Sequence, residues 1–128
     1  MVVDTSAVLA ILLGEREAEA FARAIEAADT CRISAANFVE AAIVIDTRGD
    51  AVASRQFDLF MRRAAIRVEA VTLEQTEVAR QACRDFGKGR HSAGLNVGDC
   101  FSYALEKLLD EPLLFSSCSK ERISAKPM

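Results

Sequence analysis

Apolar positions along the chain follow two rhythms. Short unbroken or alternating runs read as strands: Val2-Val3, Cys31-Arg32-Ile33, Ile66 to Val71 and Leu113-Leu114-Phe115. Between them lie longer segments with apolar residues three and four apart, which read as helices. Ser6 is placed to cap a helix over 7–13 that stops at Gly14. Residues 15–28, rich in Ala and Glu with Phe21 and Ile25 four apart, predict a second. Ser34 caps a third through about Thr47, and residues 51–64 carry Val52, Phe57, Phe60 and Met61 at helical spacing. Thr72 caps a fifth helix over 73–86. Leu95 to Leu109 is a sixth, with Asn96 or Gly98 near its start, and Pro112 ends it. Gly87 to Gly94, with its closely spaced glycines, is a loop. Residues 116–128 are polar and carry no clear pattern. Short strands alternating with longer helices predict an α/β fold: a short central parallel sheet covered on both faces. In such folds the ligand crevice lies beyond the carboxyl ends of the strands.

The chain has 128 residues, which suits one domain over 1–128, large enough to fold without a disulfide or metal staple. No apolar run approaches the roughly 20 residues of a membrane span. Met1-Val2-Val3-Asp4 does not read as a signal peptide, so a cytoplasmic protein with no membrane contact is expected. The cysteines stand at 31, 83, 100 and 118, with no Cys-x-x-Cys pair, and His91 is the single histidine. That argues against zinc and for reduced, buried thiols. The net charge of −3 counts against a generic nucleic-acid binder. Local basic spots remain at Lys88, Arg90 and His91 and at Arg62 and Arg63. They are either solvated surface or contacts to RNA phosphates.

Carboxylates are the better candidates for chemistry. Asp4 directly follows the first strand, as a capping aspartate or as an acid facing the crevice. Glu40 sits within Phe38-Val39-Glu40-Ala41-Ala42-Ile43-Val44-Ile45, a segment apolar in every direction, which predicts a helix buried on most sides. A buried carboxylate there needs an arginine, a lysine or a metal ion. Asp99 falls in the first turn of the sixth helix, where the helix dipole favours it. All three map to one edge of one fold. Three carboxylates within about 5 Å would repel by roughly 3 kcal/mol per pair at an effective dielectric of 20. A divalent cation removes that repulsion, and oxygen-only ligands favour Mg²⁺ or Mn²⁺.

Val3-Asp4-Thr5-Ser6-Ala7, the stretch from Ser34 to Glu40, and Gly94-Leu95-Asn96-Val97-Gly98-Asp99-Cys100-Phe101-Ser102-Tyr103-Ala104-Leu105 occur here in that order. Together they resemble the PIN-domain nucleases, and within them the VapC toxins of bacterial type II toxin–antitoxin systems. The likeness runs from residue 1 to about Phe115. It implies a PIN-like three-layer α/β/α fold and a metal-dependent endoribonuclease. Asp4, Glu40 and Asp99 match three of the family's four acidic positions and would be both the catalytic acids and the ligands of Mg²⁺ or Mn²⁺. Water would attack phosphorus, leaving 5′-phosphate and 3′-hydroxyl ends. Thr5, Ser6 and Asn96 would support the site. The resemblance also implies a cognate antitoxin and a homodimer. The tail over 116–128 departs from the family: Ser116-Ser117-Cys118-Ser119 stands where a Lys-Gly segment and a fourth acid are usual, and Glu121 is offset. That departure opens a second reading, a PIN-like domain that binds antitoxin or RNA without cleaving. A receiver-like Mg²⁺ domain is a third class, but it would want an acidic pair after the first strand, where this chain has Asp4 alone.

Overall fold

The computed structural model describes residues 1–89 and 91–116. Its elements keep the predicted alternation. They are β1 (Val2–Val3), α1 (Thr5–Leu12), α2 (Ala18–Ala27), β2 (Cys31–Ser34), α3 (Ala35–Asp46), α4 (Ala51–Arg63), β3 (Ile66–Glu69), α5 (Leu73–Phe86), α6 (Val97–Leu109) and β4 (Leu113–Leu114). The strands form one parallel sheet in the order β3-β2-β1-β4. Val2 pairs with both Arg32 and Leu113, so the first strand lies inside the sheet. Val2 and Val3 point to opposite faces and both are fully buried. The sheet is therefore covered on both sides, in the three-layer α/β/α arrangement the sequence predicts.

Two apolar clusters hold the layers together. The larger joins Val3, Ile33 and Ile66 of the sheet to Ala7 and Val8 of α1, Ala41 and Ile45 of α3, and Phe57 and Met61 of α4. The smaller packs Ala79 and Ala82 of α5 against Leu95 and against Cys100 and Ala104 of α6. Small side chains there let the two helices approach closely, so packing rather than bulk supplies the contact.

Three expectations are corrected. Asp4, not Ser6, caps α1: its backbone is extended and its carboxylate accepts from the Ser6 amide at 2.9 Å, the reach of a helix N-cap. The second helix is confined to Ala18–Ala27, and Glu17 makes no side-chain cap. The third strand ends at Glu69, because its partner β2 ends at Ser34 in register with it. Helix α3 is covered on most sides but not on all: Val39 and Ile43 are 51% and 55% exposed. The sheet, α1, α4 and α6 cover its other directions. Of the thiols, Cys31 and Cys100 are buried as expected, Cys83 is exposed, and Cys118 lies outside the described residues. No described helix is long and apolar enough to cross a membrane.

Candidate active site

The polar residues of the first strand's exit, α3 and α6 meet at the carboxyl end of the sheet. Asp4 leaves β1 there, buried at 2% exposure, and its side chain is shared. One oxygen caps α1; the other accepts from the Ser102 hydroxyl of α6. Ser102 lies three residues beyond Asp99, and so on the same face of α6 one turn away. Asp99 is also buried and closes a capping box. Its Oδ2 accepts from the Asn96 amide at 3.0 Å, and Asn96 Oδ1 accepts from the Asp99 amide at 2.8 Å. The reciprocal pair satisfies two helix-end amides and fixes where α6 begins.

Glu40 reaches this turn from α3. Its carboxylate accepts from the Thr5 hydroxyl at 2.6 Å and lies over the backbone of Gly98. A Cβ at residue 98 would fall 2.3 Å from Glu40 Oε1, so only glycine leaves room for the carboxylate. Among the described residues no arginine or lysine forms an ion pair with Glu40. The ion-pair alternative raised by the sequence is not what the structure shows. The described partner of Glu40 is the Thr5 hydroxyl.

Around the first turn of α6 the structure thus collects Asp4 through Ser102, Glu40 through Gly98, and Asp99 itself. Among the described residues no three His, Cys, Asp or Glu side chains stand close enough to share a metal ion as placed. The donors are nevertheless all hard oxygens. Mg²⁺ is commonly held by only one or two carboxylates, with waters and phosphate completing its shell. The donor chemistry fits such an ion without requiring a closed protein cage.

The supporting residues divide. Thr5 touches Glu40 directly. Ser6 acts on the scaffold: its hydroxyl accepts from the Ser116 amide at 2.9 Å, tying the exit of β4 to α1. Asn96 is the exposed cap of α6. Lys88 and His91 are exposed on the glycine loop, and Arg90 lies outside the described residues. The His91 Nδ1 accepts from the Ala93 amide, which leaves Nε2 as the protonated nitrogen of the neutral ring. The ring stands edge-on to Phe86. The loop is closed by a bridge between Gly87 and Leu95 and runs straight into the α6 cap. A cavity of about 930 Å³ lies elsewhere, at the amino ends of β2 and β3, beside Ile25, Thr30, Phe60 and Arg63. It touches none of the acids.

Sequence reasoning quoted Asn37, Gly98 and Ser102 within motifs but gave them no role. Asn37 is fully buried and donates to the Thr5 hydroxyl and the Gly98 carbonyl at 3.1 and 2.9 Å. A signal was available: Asn37 and Ser102 are polar residues inside apolar helices, three residues from Glu40 and Asp99 respectively, on the acids' own faces.

The PIN domain family model matches residues 1–117. Ribonuclease VapC30 of Mycobacterium tuberculosis is 49% identical over 115 residues, covering 90% of this chain and 88% of that protein. Ribonuclease VapC28 of the same species is 50% identical over 116 residues, covering 90% and 87%. Ribonuclease VapC of Mycolicibacterium smegmatis is 48% identical over 115 residues, covering 90% and 89%. Among solved structures, Mycobacterium tuberculosis VapC20, described as a sarcin-ricin loop cleaving toxin, superposes with a TM-score of 0.71 over 98% of both chains at 16% identity. That likeness is one of fold.

Proposed function

The chain belongs to the PIN-domain family and, within it, to the VapC ribonucleases, and from that premise we propose that it is a Mg²⁺- or Mn²⁺-dependent endoribonuclease toxin acting through Asp4, Glu40 and Asp99. The observation that carries this reading is the convergence of those acids on one helix turn: Glu40 seated on Gly98, and Asp4 bonded to Ser102 one turn beyond Asp99. One or two of these carboxylates at a time would hold the ion, with waters and the substrate phosphate completing its shell. When bound, it supplies Lewis acidity toward the scissile phosphate and an activated water.

The chain's own residues do the rest. The Thr5 hydroxyl holds one Glu40 oxygen and thereby aims the other. The capping box holds Asp99 at the start of α6. Ser102 and the Ser6 amide hold Asp4. Lys88 and His91, with Arg90, contribute phosphate contacts that seat the RNA without reading its bases. A cognate antitoxin, a homodimer and a cytoplasmic location belong to the same reading.

The test is RNA cleavage by purified protein with Mn²⁺. Wild type is expected to cleave, and Asp99→Asn to lose at least about a hundredfold, the scale of a lost electrostatic contribution to the transition state. Undiminished cleavage in excess EDTA would overturn the proposal. A second reading, binding without cleavage, is favoured by the tail: Cys118 or Ser119 stands where the family carries its fourth acid. Under that reading wild type is silent with Mn²⁺, and Ser119→Asp or Cys118→Asp gains activity.

A further inference from the structure

Asn37 keeps an unpaired acceptor. Its side chain is wholly buried, and Oδ1 has no hydrogen-bond partner, a feature that is costly and uncommon in native proteins. The amide cannot gain by turning over. Its Nδ2 faces the Gly98 carbonyl, an acceptor only, and exchanging N for O would set two acceptors against each other. The orphan oxygen is therefore the consequence of keeping both N–H bonds.

Those bonds reach from α3 to α1 at Thr5 and to α6 at Gly98 at once. The Thr5 hydroxyl has one hydrogen and two acceptors in range, the Asn37 carbonyl at 3.1 Å and Glu40 Oε1 at 2.6 Å. Donation from Asn37 Nδ2 fills a lone pair of the Thr5 oxygen. The hydroxyl hydrogen then goes to the shorter, charge-assisted contact with Glu40. The second N–H binds Gly98, whose bare Cα is the surface on which Glu40 rests and whose neighbour is Asp99.

We propose that Asn37 is a positioning residue: through Thr5 it orients Glu40, and through the Gly98 carbonyl it holds the first turn of α6, with Asp99, against α3. Its consequence for metal affinity rests on the nuclease reading above; its effect on Glu40 does not. Partners of metal-ligating side chains are typically worth 10–100-fold in metal affinity.

The experiment measures Mn²⁺ binding from the spin-resonance signal of free ion, with thermal stability alongside. Asn37→Ala and the near-isosteric, donor-free Asn37→Asp are expected to bind Mn²⁺ at least about tenfold more weakly. In Asn37→Ala, cleavage should return toward the wild-type rate at saturating Mn²⁺ while the melting temperature without metal stays near that of wild type, since Mn²⁺ would also refold an unfolded fraction by mass action. Thr5→Val should show a similar loss, and the double variant Asn37→Ala/Thr5→Val should lose less than the product of the two single losses. If Asn37→Ala does not fold, Thr5→Val decides. Wild-type Mn²⁺ affinity in either single variant, or multiplicative losses in the double, overturns the proposal. The carboxyl carbon resonance of Glu40, read in ¹³C-glutamate-labelled protein without metal, must shift in Asn37→Ala; an unmoved resonance overturns the proposal whatever the metal does. A wild type that binds no Mn²⁺ while the Glu40 resonance responds sinks the nuclease reading and upholds the positioning role.

Discussion

Gly98 shows how a missing side chain can carry function. Alanine is the better helix former by about 1 kcal/mol, so on propensity alone Gly98→Ala stabilises α6. The added Cβ would meet the free end of a flexible carboxylate rather than backbone, so the strain is relieved by moving Glu40. We expect Gly98→Ala to hold or raise the melting temperature while cleavage falls at least about tenfold, the scale of a displaced ligand's support; an active, destabilised variant would contradict this. The thiols make a second residue-scale case. Burial, reinforced by contact with Cys83, pushes the Cys100 thiol up to about 12, and burial also raises Cys31. At pH 8 iodoacetamide should therefore modify exposed Cys83 well before Cys31 or Cys100, as peptide mass mapping would show. The sign for stability follows: an unfolded thiol ionises near 9 and the folded Cys100 only near 12, so the unfolded chain releases protons first. This contribution to stability is full below pH 9 and is lost as pH rises toward 12.

At the scale of elements, Asp99 serves two masters, and substitution can separate them. Its carboxylate completes the α6 capping box. Asp99→Asn keeps an oxygen able to accept from the Asn96 amide but loses the charge. We expect it to retain most of the stability and lose cleavage. Asn96→Ala removes the cap and should cost about 1 kcal/mol in denaturant unfolding, with cleavage reduced far less than in Asp99→Asn. The elements themselves were largely legible in the sequence, because period-two and period-3.6 patterns and the caps Ser34, Thr72 and Asn96 are local signals. Element ends were less so. The α1 cap moved from Ser6 to Asp4 because two good capping residues stand two apart, and only the backbone angles choose between them. The end of β3 was set by its partner's length, which no local signal carries. The three acids were legible as oddities of place. Their connectors, Asn37 and Ser102, showed only as polar residues three positions from the acids; which groups they bond was hidden, because a hydrogen bond across 61 or 98 residues leaves no trace in spacing.

The whole molecule poses a problem of coverage. Strand order was beyond local reading: β4 closes the sheet against β1 from the far end of the chain, a pairing made by long-range packing. The same layering leaves α3 unevenly clothed. Ala41 and Ile45 enter the core and Glu40 turns to the acids, while Val39 and Ile43, four residues apart, share an exposed face. Single exposed apolar residues need no explanation, but a paired stripe on an otherwise core-facing helix is the kind of surface a second copy can cover. If the homodimer buries this stripe, light scattering should return a mass of twice 13.9 kDa for wild type, and Ile43→Lys, which sets a charge into the contact, should return the monomer mass. The side chain already faces solvent, so the monomer should keep its melting transition, because nothing is removed from the core. A dimer that survives both Ile43→Lys and Val39→Asp would place the interface elsewhere. A chain monomeric from the outset would leave the stripe to another partner and remove the homodimer from the proposed function.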